Sequence, residues 1–187
     1  MARVPYLNPE DLSAENRDLL ARPIALARAM ANAPDAARAF QGVGKWVRYG
    51  STVDARLREL AILQVGYLAR SPYEWSHHVK IGFDFGVTEA DVRGLMAEAE
   101  GQPNALEPLA RSVLRAAREM ADGGEMRAET FAELEVTLGR QQVVELVIVI
   151  AFYCAVVRVL ASLAIDVEPE YQTYLDRFPL PGSFSRA

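Results

Sequence analysis

Residues 54–78, DARLRELAILQVGYLARSPYEWSHH, decide the fold of this chain of 187 residues. In the first part of the stretch, apolar or small residues recur at helical spacing: Leu57, Leu60, Ala61, Leu63, Gly66, Tyr67 and Leu68. Ser71-Pro72 then opens a second helix, which is expected to end near Phe85-Gly86. The segment 54–86 is therefore predicted to be a helical hairpin with a very tight connection.

The rest of the chain is also predicted to be helical, because Ala, Leu, Arg and Glu dominate and no stretch alternates apolar and polar residues for long. Further helices are expected to begin at Asn8-Pro9, after Pro23, at Pro34 and at Thr88, and to span about 106–121, 127–138 and 141–165. We predict an all-α helical bundle. It forms one domain over 1–187 with a core at about 35–165, and the N-terminal helices and a Pro-rich, aromatic C-terminal arm from Asp166 are extensions.

Composition and charge exclude several classes of protein. A hydrophobic fraction of 51% excludes a disordered chain, and a net charge of −5 with dispersed basic residues argues against a nucleic-acid partner. The single cysteine, Cys154, excludes an intramolecular disulfide and chemistry that needs a pair of cysteines. Residues 1–6 have no signal-peptide pattern, which favours the cytoplasm.

An uncharged run, Leu146–Val157, lies in the last long helix. It is shorter than the stretch of about 18–20 apolar residues that a membrane span needs. We therefore expect no membrane partner, and a helix that is buried in the core or at a subunit interface.

A candidate site lies at the start of the second hairpin helix. Glu74 precedes His77 by three residues and His78 by four, so its carboxylate can meet either imidazole on one helix face. Such a pair handles protons near neutral pH, and Glu59 comes within reach when the hairpin closes. On the pattern alone a structural interpretation is favoured: Ser71 and Glu74 fit a capping box, Tyr73 and Trp75 fit a core, and either histidine can be structural.

Metal binding can be judged by counting ligands. Glu74-x-x-His77 resembles half of a di-iron carboxylate site, but the second half needs another histidine, and the chain has none outside positions 77 and 78. A mononuclear site built from Glu59, Glu74 and one histidine stays open at this point.

The segments 56–63, 71–79 and 86–88 resemble the carboxymuconolactone decarboxylase family, which includes the alkyl hydroperoxidase D-like proteins. In the peroxidase branch a Glu is followed, after eleven residues, by Cys-x-x-Cys-x-x-x-His. That spacing is met here by Glu59, Ser71, Glu74 and His78. The late segment 145–158 is similar to a second stretch of the family, with Cys154 where an Asn is frequent. The resemblance implies an alkyl hydroperoxidase D-like bundle and a homo-trimer or homo-hexamer.

The departures from the family pattern bear on function. Because Ser71 and Glu74 replace both redox cysteines, a thiol peroxidase mechanism is excluded. The chain therefore resembles the non-redox branch, which implies a lyase or isomerase without metal or organic cofactor, as in aromatic degradation, acting on a small carboxylic acid or lactone. In this interpretation His78 is the general acid and base, tuned by Glu59 and Glu74.

The predicted substrate-binding residues are Tyr73, His77, Ser71 and Trp75. The substrate carboxylate is expected to pair with an arginine, for which the candidates are Arg56, Arg70 and Arg158. Two alternatives stay open: a non-catalytic helical oligomer, and an alkyl hydroperoxidase-like protein without thiol chemistry.

Overall fold

The computed structural model describes residues 1–182, and that part of the chain is helical with no β-strand. The helices are α1 (Ala25–Met30), α2 (Pro34–Tyr49), α3 (Ala55–Leu68), α4 (Pro72–Asp84), α5 (Glu89–Ala99), α6 (Pro108–Arg118), α7 (Ala128–Leu138), α8 (Arg140–Leu163) and α9 (Gln172–Arg177). The predicted all-α bundle is confirmed. Residues 183–187 of the predicted domain lie outside the described residues.

The predicted hairpin is formed by α3 and α4. Asp54 caps α3 by accepting a hydrogen bond from the backbone N–H of Leu57 at 3.0 Å, and Ser71 caps α4 in the same way. The connection is only three residues long, and Arg70 within it has a φ of +47°, in the left-handed region. Short local signals of this kind are the reason why the sequence predicts this motif.

Gly66 allows the two hairpin helices to approach closely. A Cβ atom at this position would lie 3.3 Å from Cγ of Glu74 and 3.4 Å from the backbone nitrogen of Trp75. Because glycine leaves that space free, the first turn of α4 lies directly against α3. The close approach brings the Glu74 side chain to the interface between the two helices.

Helix α3 is the centre of the bundle and packs against α4, α5, α6 and α8. Its buried residues include polar ones, Arg58, Glu59 and Gln64, as well as the apolar core. Buried polar groups are costly unless they are paired, so their presence here marks a site that needs explanation.

Helix α8 also fixes the beginning of α3. The buried Glu145 side chain accepts hydrogen bonds from the backbone N–H of Thr52 at 2.6 Å and from the hydroxyls of Ser51 and Thr52. These bonds hold the loop that precedes α3 against α8. They also lower the pKa of Glu145, although burial acts in the opposite direction.

The whole of α8 is longer than the uncharged run considered above. By length and composition, Arg140–Leu163 is the one helix in the described part of the chain that is able to cross a membrane. Half of its most apolar window is buried inside the protein. Its outward face carries Val144 and Ile148, which are more than two-fifths exposed in the single chain.

The C-terminal arm packs back onto α4. After α8 it forms a 3₁₀ turn, Pro169–Tyr171, and then α9, which lies against α4. Phe178 is fully buried, and its carbonyl accepts a hydrogen bond from the indole N–H of Trp75 at 2.7 Å. The arm is therefore part of the buried core, which extends from Ala25 to Leu180.

Two expected helices differ from the prediction. The helix expected at Asn8-Pro9 is a single 3₁₀ turn, Pro9–Asp11, because Asp11 binds back to the Asn8 N–H at 2.7 Å and Leu12 leaves in an extended conformation that buries its side chain. The helix expected over 106–121 changes after Arg118 into a π-helical turn, Glu119–Gly123.

Candidate active site

His78 lies between two buried carboxylates. Its Nδ1 is 2.8 Å from Oε2 of Glu59, and its Nε2 is 3.1 Å from Oε1 of Glu74. All three residues are at most 6% exposed. Glu59 comes from α3 and the other two from α4, so the hairpin itself assembles the three predicted catalytic residues.

The Glu74 side chain does not complete a capping box. Ser71 accepts a hydrogen bond from the Glu74 N–H at 3.4 Å, but the Glu74 carboxylate faces His78 instead of returning to the start of the helix. Its Oε1 is buried and has no hydrogen bond of good geometry within the described residues. A buried carboxylate oxygen in this condition is available to a further partner.

The three groups perturb one another's proton affinity. Burial raises the pKa of Glu74 to about 7, an effect that His78 partly offsets and Glu59 increases. For His78, burial alone acts to lower the pKa, but the charges of Glu74 and Glu59 and the hydrogen bond to Glu59 outweigh it, so the pKa is raised above its usual value. Glu74 therefore exchanges its proton close to neutral pH, and His78 holds its proton more tightly than an ordinary histidine.

A cavity of about 440 Å³ opens beside this triad and is lined by Glu74 and His78. Tyr153 of α8 also lines it, with its ring edge-on to the imidazole at 4.9 Å between centroids. The Tyr153 hydroxyl has no hydrogen bond to any described residue. Burial and the two nearby carboxylates raise its pKa well above the usual value, so the hydroxyl stays protonated. It is a free hydrogen-bond donor next to His78.

The cations at the cavity differ from those predicted. Arg22, Lys45 and Arg48 line the cavity, and none of these side chains forms a hydrogen bond or ion pair within the described residues. The one acid among the outer lining residues, Asp18, is paired with Arg38.

The predicted arginines do not line this cavity, which corrects that prediction. The Arg56 guanidinium forms ion pairs with Asp91 and Glu107. These pairs join α3 to the start of α5 and to the start of α6. Arg158 binds the carbonyl of Cys154 and lines a separate cavity of about 240 Å³, while Arg70 lies in the hairpin connection.

His77 and Tyr73 line the cavity but are already engaged. The His77 ring is stacked between Tyr73 and Tyr171, at 4.0 and 3.6 Å between centroids. Its Nε2 lies 2.8 Å from Glu168 of the C-terminal arm, which also binds the Tyr73 hydroxyl and the Ala25 N–H. Burial lowers the pKa of His77 in spite of Glu168. This histidine joins the arm to α4.

The two remaining predicted substrate-binding residues lie away from the cavity. Ser71 caps α4, and Trp75 is fully buried in the core, where it contacts Tyr67 and binds Phe178. Neither of them lines the cavity.

A metal centre finds no support in residues 1–182, where no group of three His, Cys, Asp or Glu side chains is arranged to hold an ion. The geometry explains this result: Glu59 and Glu74 contact opposite nitrogens of His78 and do not converge on one point.

A comparison with family models finds a match over part of the chain. Residues 34–119, from α2 to the start of the π-helical turn, match the model of the carboxymuconolactone decarboxylase family. Over that stretch, just under half of its length, the chain is similar to that family. The match includes Glu59, Glu74 and His78 but not Tyr153. A search of curated proteins finds no match.

Solved structures share the fold. One is the alkylhydroperoxidase AhpD core of an uncharacterized peroxidase-related protein from Ralstonia eutropha JMP134, with a TM-score of 0.75, 17% identity, and coverage of 93% of this chain and 95% of that one. Another is a protein of unknown function from Agrobacterium tumefaciens, with a TM-score of 0.65, 16% identity, and coverage of 74% and 94%.

A third solved structure is the debrominase Bmp8, as a cysteine-to-alanine variant in complex with 2,3,4-tribromopyrrole. Its TM-score is 0.77 at 19% identity, with coverage of 95% of this chain and 98% of that one. At these identities the likeness establishes an alkyl hydroperoxidase D-like fold and not an activity.

The chain has no thiol at its candidate site. Its one cysteine, Cys154, is half-buried and lines the second cavity, and burial raises its pKa. A thiolate at that position does not face the cavity that His78 lines, which agrees with the absence of the two redox cysteines of the peroxidase branch.

Sequence reasoning missed Tyr153, Glu168 and the cavity cations, of which Arg48 is the most enclosed. Tyr153 carries the one polar aromatic group within the uncharged run of α8, and this was the available signal. For Glu168 and Arg48 there was none, since their significance depends on which distant helices pack beside them.

Proposed function

We propose that this protein is a cofactor-independent enzyme, a lyase or isomerase that transfers protons on a small carboxylic acid or lactone. The observation that carries the proposal is His78, which is held by Glu59 and Glu74 at a cavity large enough for a small molecule. Structural histidines do not need two carboxylates and an adjoining cavity.

The chemistry of such a reaction suits these groups. Breaking a C–H or C–CO₂ bond next to a carbonyl sends the electron pair onto the carbonyl oxygen, and the carbon later takes a proton. In this proposal His78 supplies that proton, and Glu59 fixes the His78 ring through Nδ1. Glu74 accepts the proton and returns it, either through Nε2 of His78 or by direct exchange with the substrate. The free Tyr153 hydroxyl stabilises the oxyanion by a hydrogen bond.

A screen in heavy water tests this function. Small carboxylic acids and lactones are incubated with the protein, and NMR detects deuterium incorporated at carbon as well as substrate loss. We expect turnover by the wild type, a loss of at least about a hundredfold in His78→Gln, and no loss in the thiol control Cys154→Ser. A well-folded His78→Gln variant with full turnover would contradict the assignment, and a screen without turnover would favour the non-catalytic oligomer.

We also propose a cytoplasmic homo-trimer or homo-hexamer. The exposed apolar residues Val144 and Ile148 on α8 support subunit contact through this face. Light scattering coupled to size exclusion measures the mass, and a monomer at micromolar concentration is the result that argues against this assembly.

A further inference from the structure

The walls of the cavity are apolar along most of their length. Residues from α1, α2, α4 and α8 form them: Leu26, Met30, Phe40, Ile81, Phe152 and Val156. Such walls offer a ligand few hydrogen bonds apart from those at His78, Glu74 and Tyr153. A ligand that fills the cavity therefore needs an apolar body, because a polar body would lose its hydration without compensation.

Charged groups of opposite sign line the cavity at different depths from the solvent. Glu74 and His78 at the inner end are buried, and Glu59 lies behind them. Arg22 and Lys45 at the outer end are exposed, and Arg48 is half-buried. The outer cations have no counter-charge within the described residues, whereas the two inner carboxylates contact the His78 imidazole, and Glu59 also pairs with the buried Arg58 at 3.4 Å.

Arg48 is the outer cation that is best placed to hold a ligand. It lies in the last turn of α2, and its charge is felt by both His78 and Tyr153. Its guanidinium presents a planar fork of donors that matches a carboxylate. A half-buried guanidinium without a partner is the kind of group that gains most from an anionic ligand.

We propose that the cavity binds a monocarboxylate with an apolar body, with its carboxylate on Arg48 and its opposite end against His78. A dicarboxylate is disfavoured, since its second carboxylate would meet Glu74, which lines the inner end and has an oxygen without a hydrogen bond. A ligand whose single carboxylate is bound by Arg48 keeps that carboxylate during the reaction.

The reaction class follows from this orientation, and this step rests on the proposed function. Because the carboxylate is kept at Arg48, the chemistry at His78 moves a proton from one carbon of the ligand to another, and no CO₂ is lost. The C–H electron pair becomes part of a shifted double bond, the proton returns to the ligand, and no further reactant is needed. The proposed orientation thus favours isomerisation over decarboxylation.

Calorimetry with three probes tests the binding. The probes are phenylacetate, its uncharged counterpart phenylacetamide, and the dicarboxylate 1,4-phenylenediacetate. We expect phenylacetate to bind at least about tenfold more tightly than either of the others, and Arg48→Gln to weaken its binding by about tenfold or more, as the loss of a charge-assisted contact implies. Arg48→Lys should recover part of the affinity.

A matched control removes a cation elsewhere. Arg111→Gln changes an exposed residue of α6 that does not line the cavity, and it should leave binding unchanged. Four results would each overturn the proposal. These are binding of phenylacetamide as tight as that of phenylacetate, equally tight binding of the dicarboxylate, no binding of phenylacetate, and an unchanged affinity in Arg48→Gln.

The same titrations in His78→Gln, taken together with the turnover screen described above, separate this inference from the proposed function. If carboxylates bind in a way that depends on Arg48 but no acid is turned over, the binding site is supported and the proposed function is refuted. If neutral lactones are turned over and carboxylates are not preferred, the proposed function is supported and the proposed carboxylate site is refuted.

Discussion

Replacing Glu74 with Gln removes a buried charge and keeps the shape of the side chain. Burial raises the pKa of this carboxyl from 4.5 to about 7. A folded-state pKa above the unfolded-state value means that the folded protein holds the proton more tightly. The free energy of unfolding that Glu74 contributes is therefore fully present below about pH 4.5 and is lost as the pH rises to about 7.

The size of the effect follows from those two values. At about 1.4 kcal/mol per pH unit, the interval from 4.5 to about 7 corresponds to about 3 kcal/mol. His78 acts in the same direction: its pKa is raised, so its contribution is present below about pH 6.5 and is lost as the pH rises through its folded-state value. Removing the Glu74 charge weakens this second contribution too.

Urea unfolding at about pH 5, 6.5 and 8 measures the effect. We expect the stability of the wild type relative to Glu74→Gln to fall by about 2.5 kcal/mol between the first and the last pH, since a small part of the loss has already occurred at pH 5. Carboxyls whose pKa is lowered, such as Asp91 and Glu168, titrate equally in both proteins and cancel. The exposed Glu125→Gln serves as the control and should give a curve parallel to the wild type. A parallel curve for Glu74→Gln as well would refute the reasoning.

Two further predictions concern the C-terminal arm. Trp75→Phe removes the indole N–H that binds Phe178 at 2.7 Å and leaves a buried carbonyl unpaired, so urea unfolding should show a loss of about 1–3 kcal/mol; an unchanged midpoint would mean that this bond is unimportant. Glu168→Ala removes the contacts to His77, Tyr73 and Ala25, so limited proteolysis should cut the arm after α8 much faster than in the wild type. Equal cleavage rates would show that the arm is held by its apolar contacts alone.

The hairpin could be predicted because its signals are local. Helical spacing, Asp54 and Ser71 as caps and the short connection all act within a few residues, and they place Glu59, Glu74 and His78 together regardless of the rest of the fold. The spacing of Glu74 and His78 on one helix turn was enough to predict their contact. The role of Glu74 was ambiguous, because a capping box and a histidine partner need the same residue at the same position.

The remainder of the site depends on packing between distant elements. Glu168 reaches His77 across 91 residues of chain, and Arg48 comes to the cavity because α2 packs beside α1 and α8. A free surface arginine and a cavity arginine look alike in a sequence. This is the reason why Arg56 and Arg158 were candidates for the substrate carboxylate, although both are occupied by internal partners in the structure.

Nitrogen NMR of the histidine rings tests the central claim most directly, namely that His78 is a proton-transfer group held between two carboxylates at the cavity. The chain has two histidines, so the spectrum is simple, and His77→Gln assigns it. We predict that His78 titrates above the usual value of 6.5 and His77 below it, and that Glu74→Gln lowers the pKa of His78. Phenylacetate should shift the His78 signals. A His78 ring that is neutral at pH values below 6.5, and that responds neither to Glu74→Gln nor to the ligand, would contradict the account.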